Sequence, residues 1–311
     1  MTIRYKKIIW LGSYPTHYWR NLFCRVEKQR FKKICFAFLS NYNNSKSYEV
    51  GKMPKNSIYL KNFFDTLIFI KNILINPPKL LIIQGYNIIP KFLVLILCRY
   101  KKIPFCLWGD TNYSIIKNQN FFYLFLKKII LRYLLLKAKK ILYIGKKNKE
   151  FYKWLFNNKI KKNFFFFLPY PTYVNDKFFK NSTNKNRLYI VYVGRLAKEK
   201  SIINFLQSLP LLKSNIIKKL DIKIYGNGKE EETLKKFVKN NNLLKTVKFY
   251  NFFKSSDVYK CFKKADLLVL PSSKEPWGLV VNESIYYGVP VLCMDSVGAA
   301  KDLIVNYTNG F

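Results

Sequence analysis

Short runs of apolar residues recur along the chain at intervals long enough for a helix, and this alternation constrains the fold more than any other feature. Strands that alternate with helices form parallel sheets covered by helices. The sequence therefore predicts an α/β protein with two Rossmann-like series of strands. The predicted strands are residues 8–11, 34–39, 80–83, 105–108, 140–144 and 164–168 in the first series, and 188–193, 222–225, 247–250, 267–270 and 289–294 in the second.

A polar stretch separates the two series. Residues 181–187 contain no apolar side chain and lie where one series ends and the next begins. The 311 residues of the chain suffice for two domains, since domains cluster near about 100–150 residues. We therefore predict one domain over residues 1–183 and a second over residues 184–311.

The charge balance is strongly basic, with 56 Lys and Arg against 17 Asp and Glu. A field of this sign attracts nucleic acids, anionic lipids and phosphorylated substrates. AT-rich coding, which enriches Lys together with Asn, Ile, Phe and Tyr, explains the excess equally well. Nucleic-acid binding is disfavoured, because the sequence has no RNP-type aromatic motif, zinc-ligand spacing or recognition helix.

The cysteines and the N-terminus bear on the cellular compartment. The six cysteines form no C-x-x-C pair and no short metal-ligand spacing, so neither a disulfide framework nor a metal site is predicted. The N-terminus lacks the features of a signal peptide. No apolar run reaches the ~18–20 residues that span a bilayer. We expect a cytoplasmic protein.

Residues 120–140 are rich in Phe, Leu and Ile but are interrupted by basic residues. On a helix, Lys128, Arg132 and Lys139 would form a basic stripe on an otherwise apolar surface. One interpretation is a helix that lies on an anionic membrane surface. The other, which the pattern favours, is a buried domain helix with one solvated face. Peripheral contact with the inner face of the cell membrane stays open on this evidence.

The segment of residues 265–292 contains the most informative local pattern: strand, polar loop, helix, strand. Gly278 precedes the helix and Gly288 ends it. The first turn offers free N–H groups near Gly278, Leu279 and Val280, and an anion can approach closely because Gly278 has no side chain. We predict that a diphosphate binds there.

Two carboxylates flank this helix start. Glu283 lies one turn after Leu279 on the same helix face, where it would accept hydrogen bonds from ribose hydroxyls. Glu275, on the preceding loop, would face the other end of the diphosphate, where a sugar is attached. The pair alone is a weak signal, because carboxylates near a helix N-terminus are also favourable partners of the helix dipole.

Two further segments follow predicted strands at the same edge of the sheet. Arg195 comes directly after residues 188–193, with Lys200 five positions later, and these cations suit a diphosphate leaving group. A solvated basic loop is the alternative. Gly226 follows the next strand and begins a glycine turn, at the edge where open α/β sheets bind ligands.

Together these motifs resemble the retaining GT-B glycosyltransferases of the group-one, or family-four, type. The resemblance covers residues 188–311 closely and the first half loosely. It implies two facing Rossmann-like domains, an acceptor-binding one over residues 1–183 and a donor-binding one over residues 184–311. The residues that carry the resemblance are Glu275 and Glu283 (E-x7-E), Gly194, Arg195, Lys200 and Ser201 (G-R-L-x-x-E-K-G, with Ser in the last position), and Gly226 and Gly228 (G-x-G).

The resemblance also implies an activity and a set of roles. A hexose or N-acetylhexosamine would pass from a nucleotide diphosphate sugar to a glycan or lipid-linked acceptor, with retained anomeric configuration and without a metal or other cofactor. Arg195 and Lys200 would hold the diphosphate, Glu283 the ribose and Glu275 the sugar beside its reacting carbon. Attack would be front-face, with the leaving phosphate taking the acceptor proton. The expected setting is synthesis of a cell-surface polysaccharide or lipopolysaccharide; the alternative is a non-catalytic nucleotide-sugar-binding or membrane-docked partner.

The sequence departs from the family pattern in three places. Gly12 is followed by Ser13 where members carry a glycine pair, and we assign Gly12 to the donor side by resemblance. Asp110 stands where a His lines the acceptor side, and His17 in the first loop is either a second acceptor contact or a plain surface histidine. The chain ends at Phe311, where members continue with further helices, so the second domain is expected to be incomplete at its C-terminus.

Overall fold

The computed structural model describes residues 8–13, 19, 22–23, 26, 34–39, 57–116, 119–172, 186–251 and 258–311. The chain divides into two compact units, Met1–Pro171 and Thr172–Phe311. The predicted boundary at residue 183 lies outside the described residues.

The first unit is built on a seven-stranded sheet. Its strands are β1 (Ile8–Gly12), β2 (Ile34–Phe38), β3 (Ser57–Tyr59), β4 (Leu80–Gln84), β5 (Phe105–Gly109), β6 (Lys140–Tyr143) and β7 (Phe165–Phe167). All are parallel, in the order β3-β2-β1-β4-β5-β6-β7. Six of the seven were predicted; β3, only three residues long, was not. The described helices of this unit are α1 (Phe63–Ile75), α2 (Ile89–Tyr100), α3 (Tyr113–Ile116), α4 (Phe121–Leu135) and α5 (Lys146–Leu155).

Helices α1, α2, α4 and α5 cover one face of this sheet. Each connects a strand to a parallel strand further along the sheet in the same direction, and such crossovers are right-handed. Their inner sides supply Phe69, Leu95, Leu135 and Leu155 to one core, which the strands complete with residues such as Leu107. The opposite sides of the four helices therefore point away from this core.

The second unit has a five-stranded sheet, also parallel throughout. Its strands are β8 (Leu188–Val193), β9 (Leu220–Tyr225), β10 (Val247–Tyr250), β11 (Leu267–Leu270) and β12 (Val291–Cys293), in the order β10-β9-β8-β11-β12. Its described helices are α6 (Ile202–Ser208), α7 (Ser214–Ile217), α8 (Glu231–Asn240), α9 (Tyr259–Phe262), α10 (Leu279–Tyr286) and α11 (Ala300–Leu303). Because β8 lies between β9 and β11, the loops that follow these strands meet at one edge. All five strands were predicted.

The interpretation of residues 120–140 as a buried domain helix with one solvated face is confirmed in part: Leu131 and Leu135 of α4 lie in the core, but the solvated face is apolar. Helix α4 ends at Leu135, so Lys139 lies beyond it, next to β6, and does not extend the stripe of Lys128 and Arg132. Most apolar side chains of α4 are exposed, and that of Phe122, for example, is 66% exposed. No helix in the described part of the chain has the length and apolarity to cross a membrane.

Candidate functional site

Hydrogen bonds join two loops at the carboxyl edge of the second sheet. The first is the 3-10 turn Lys198–Lys200, which follows β8, and the second follows β11. The carbonyl of Glu199 accepts hydrogen bonds from the backbone N–H of Ser273 at 3.0 Å and from its hydroxyl at 3.1 Å. This contact places Lys200 beside Glu275, although 75 positions separate them in sequence.

Lys200 and Glu275 form an ion pair that is largely withdrawn from water. The Lys200 ammonium donates to Oε2 of Glu275, and their side chains are 12% and 13% exposed. The Ser272 hydroxyl lies 3.5 Å from the same oxygen. An ammonium has three donors, so Lys200 retains capacity for a ligand oxygen while it holds Glu275. The structure thus brings together two residues that were predicted to act at one site.

Arg195 lies on the same loop but is more exposed. Its guanidinium pairs with Glu199 at 3.3 Å, and its side chain is 59% exposed. Its carbonyl accepts a hydrogen bond of 2.9 Å from the hydroxyl of Tyr192, a buried residue whose pKa is raised mainly by burial and further by Glu275. An exposed pair of this kind contributes little to stability, so the guanidinium is available to an anionic ligand.

The glycine turn after β9 supports the Arg195 loop. A Cβ on Gly226 would lie 1.9 Å from the carbonyl oxygen of Gly194, and one on Gly228 would lie 2.2 Å from that of Leu196. The N–H of Leu196 donates to Asn227 at 2.9 Å. Close backbone packing therefore accounts for these glycines, and direct contact of Gly226 with a donor stays a prediction.

Helix α10 begins where it was predicted to, directly after Gly278. Gly278 is buried and has a φ of +92°, a conformation that favours glycine, so the position needs glycine for its backbone as well as for access. The indole N–H of Trp277 donates to Asn282 at 2.8 Å and fixes the first turn. The N–H groups of Leu279 and Val280 have no acceptor within the helix, because they belong to its first turn.

The segment after β12 holds the Glu275 loop, and the sequence patterns did not predict this contact. The N–H of Gly298 donates to the carbonyl of Glu275 at 3.0 Å, and that of Ala299 donates to Trp277 at 2.8 Å. A Cβ on Gly298 would lie 1.9 Å from the carbonyl oxygen of Pro276. The run of three small residues that begins at Gly298 was the available signal.

Glu283 lies further along α10, and its carboxylate is desolvated. Burial raises its pKa from 4.5 to about 8. Among the described residues, no donor or cation pairs with this carboxylate. Glu283 in turn affects the buried Cys261 thiol, whose pKa is raised to about 12 mainly by burial and secondarily by Glu283. An ionised carboxylate here would gain from hydroxyl donors on a ligand.

A second polar cluster occupies the carboxyl edge of the first sheet. Asp110 follows β5 and accepts a hydrogen bond of 2.8 Å from the Tyr170 hydroxyl, while burial raises its pKa against the opposing effects of that bond and of Lys91. Lys91, on α2, is 2% exposed and donates to the Ser13 hydroxyl and the Gln84 carbonyl. Burial lowers its pKa from 10.5 to about 7.

Lys91 was not predicted, since a lysine in the first turn of an apolar helix is not informative on its own. Gly12 ends β1 and therefore lies at the same carboxyl edge of the first sheet, where a Cβ on it would lie 3.0 Å from Oε1 of Gln84. Its assignment to the donor side, like the acceptor role of Asp110, stays a prediction. His17 lies outside the described residues.

Comparison with known proteins finds one family model, and it matches the second unit. Residues 174–311 match the family model described as glycosyl transferases group 1. No curated protein matches the sequence.

Comparison with solved structures identifies the fold. The lipopolysaccharide outer core galactosyltransferase WaaB, in its apo form, superposes with a TM-score of 0.70 at 16% identity, over 97% of this chain and 84% of that one. HepE of Anabaena, in complex with UDP and glucose, gives 0.69 at 15% identity, over 98% and 85%. Sucrose-phosphate synthase of Thermosynechococcus elongatus gives 0.70 at 14% identity, over 98% and 85%. The chain has the GT-B fold, as predicted, with a parallel-sheet α/β domain in each unit.

Proposed function

We propose that the chain moves a hexose or N-acetylhexosamine from a nucleotide diphosphate sugar to a glycan or lipid-linked acceptor. The proposal starts from the match of residues 174–311 to the family model of group 1 glycosyl transferases. The observation that carries this proposal is the ion pair of Lys200 and Glu275 next to the open first turn of α10. A cation, free backbone N–H groups and a carboxylate at one sheet edge suit a diphosphate that is joined to a sugar.

In this proposal Lys200 and Arg195 stabilise the negative charge that develops on the leaving diphosphate. The bond from the anomeric carbon to the phosphate oxygen breaks, and a bond from that carbon to the acceptor oxygen forms on the same face. Because the new bond forms on the face that the phosphate leaves, the configuration is retained. The acceptor proton passes to the departing phosphate oxygen, so the reaction needs no dedicated protein base. Glu275 accepts hydrogen bonds from the sugar hydroxyls while Lys200 holds it in place.

Glu283 completes the donor site as the partner of the nucleotide ribose. Its carboxylate lies one helical turn beyond Leu279 and is desolvated without a protein donor among the described residues. Ribose hydroxyls would supply the missing hydrogen bonds. Since a structure of similar fold contains UDP and glucose, UDP-glucose is the first donor to test.

The proposal extends to the setting of the reaction. A cytoplasmic enzyme with a lipid-linked acceptor would work at the inner face of the cell membrane, in the synthesis of a cell-surface polysaccharide or lipopolysaccharide. The similarity in fold to WaaB favours acceptors of this class. Acceptor contacts are assigned to Asp110 and His17 in the first half of the chain.

Donor binding and transfer are tested separately on the full-length chain. A thermal-shift panel of nucleoside diphosphate sugars identifies the donor, and release of the nucleoside diphosphate in the presence of a lipid-linked acceptor measures turnover. Glu275→Ala and Arg195→Ala should each abolish release, whereas Glu232→Ala, at an exposed carboxylate on α8, should leave it unchanged. Unchanged turnover in Glu275→Ala would refute the assignment. Donor binding without release in the wild type would instead indicate a non-catalytic nucleotide-sugar-binding protein.

A further inference from the structure

The outer side of α4 exposes a continuous apolar stripe. Phe122, Phe125, Ile129 and Tyr133 follow one another at spacings of three and four residues, and Leu126 lies four residues after Phe122 and three before Ile129. These spacings place all five on one side of the helix. Each is more than two-fifths exposed, from 43% for Leu126 to 66% for Phe122. Large apolar side chains that are scattered singly need no explanation, but a contiguous stripe of this kind indicates an interaction surface.

The neighbouring helices extend this surface. Helices α1 and α2 lie on the same face of the sheet as α4, and α2 packs against α4, with the Arg99 guanidinium 4.3 Å from the centre of the Tyr133 ring. Phe64 and Ile68 on α1 are 72% and 55% exposed, and Leu93 on α2 is 41% exposed. Exposed apolar side chains are therefore found on three helices that cover the same face of the sheet.

The charge of this region is positive almost throughout. Between residues 57 and 140 the sequence contains fourteen Lys and Arg, of which Lys91 is buried, and its only acidic residues are Asp65 and Asp110. On α4 itself, the ammonium group of Lys127 lies 5.5 Å from the centre of the Tyr123 ring, and that of Lys128 lies 4.5 Å from the Trp154 ring. Cations held beside aromatic rings, of which that of Tyr123 is exposed, match the boundary between lipid headgroups and acyl chains.

We propose that the outer face of α1, α2 and α4 docks on a bilayer that contains anionic lipid. The stripe of α4 enters the headgroup region, and the surrounding Lys and Arg side chains bind lipid phosphates. Helix α4 has 15 residues, fewer than the ~20 that cross a bilayer, so it lies in the plane of the interface. Pairing of this face with a second copy of the chain is disfavoured, because two strongly basic surfaces would repel each other. The docking does not depend on the proposed glycosyl transfer.

The test is co-sedimentation of the full-length chain with vesicles of phosphatidylcholine, either alone or with about one-third phosphatidylglycerol. The variant Phe122→Ser/Phe125→Ser/Ile129→Ser removes the centre of the stripe, and single Phe122→Ser is a milder version. The matched control, Leu211→Ser/Leu244→Ser, removes apolar side chains of the second unit that are 85% and 60% exposed. Circular dichroism and release of UDP from UDP-glucose without vesicles check folding and chemistry independently of docking.

The wild type should bind the anionic vesicles at least about tenfold more strongly than the neutral ones, and less strongly as salt rises. The triple variant should lose at least about tenfold in binding, the single variant an intermediate amount, and the control less than about twofold. Equal binding by the wild type and both stripe variants would overturn the proposal, as would failure of the wild type to bind anionic vesicles. Self-association that the triple variant abolishes, without vesicle binding by the wild type, would identify the face as a contact between copies instead.

Discussion

Replacement of Glu283 by Gln should stabilise the protein in the absence of a donor and weaken its binding of a donor. The wild-type carboxylate is desolvated, with its pKa raised from 4.5 to about 8. Gln has nearly the same shape but carries no charge, so it avoids the cost of ionisation in this environment.

The size of the effect follows from the pKa of Glu283 in the two states. Below pH 4.5 the carboxyl is neutral in both the folded and the unfolded protein. Between pH 4.5 and about 8 the unfolded chain loses this proton while the folded protein keeps it, so the free energy of unfolding falls as pH rises, by ~1.4 kcal/mol per pH unit. With allowance for the partial exposure of the side chain, the free energy of unfolding of Glu283→Gln should rise by ~2–3 kcal/mol relative to that of the wild type as the pH goes from about 5 to about 7.5.

The assay is denaturant unfolding of both full-length proteins at half-unit intervals from about pH 5 to pH 8.5, with the difference in unfolding free energy plotted against pH. Other groups with a raised or lowered pKa, such as Asp110 and Lys91, are present in both proteins and cancel in the difference. Glu232→Gln, at an exposed carboxylate, should give a flat difference. A flat difference for Glu283→Gln as well would refute the reasoning, because it would mean that the Glu283 carboxylate is solvated in the folded protein.

Donor affinity should change with pH in the opposite direction from stability. If ribose hydroxyls donate to Glu283, they favour its ionised form, so wild-type affinity for UDP-glucose should increase by up to about tenfold per pH unit below pH 8. Calorimetry in buffers of different ionisation enthalpy should detect proton release on binding. Glu283→Gln should bind more weakly at pH 8 and show neither effect.

Three further outcomes are expected. Glu275→Gln leaves the largely buried Lys200 ammonium without its carboxylate and should lower the free energy of unfolding by about 3 kcal/mol. The double variant Glu275→Gln/Lys200→Met should recover part of this loss, and strict additivity of the two substitutions would contradict the ion pair. Lys91→Met should raise the free energy of unfolding most at neutral pH. The difference from the wild type should shrink by ~1.4 kcal/mol per unit from pH 7 to pH 10, because Lys91 holds fewer protons in the folded than in the unfolded protein over that range. A difference independent of pH would be evidence against a desolvated ammonium. Gly298→Ala should lower unfolding free energy by about 2 kcal/mol or more and weaken UDP-glucose binding, since its Cβ would meet the Pro276 carbonyl; a stable variant with unchanged affinity would show that the loop can yield.

Much of the second unit could be read from local sequence. All five strands of that unit were predicted, because each is a short run of apolar side chains. The start of α10 was predicted as well, because Gly278 marks it in the sequence. The first sheet was predicted apart from β3, whose three residues are too few to show a periodicity. The composition of residues 120–140 favoured a helix with one solvated face but did not predict that this face is apolar, because that depends on which side of α4 packs against the sheet.

The sequence by itself determined the succession of strands and helices and the residue types at the carboxyl ends of the strands, because those depend on periodicity and on neighbours a few positions apart. Only the tertiary structure decided which of those residues meet. The order of the sheet places β8 beside β11, and this adjacency pairs Lys200 with Glu275. Packing also decided which polar groups lose contact with water. No sequence pattern predicted the altered pKa values of Lys91 and Glu283, because both arise from burial in the folded chain.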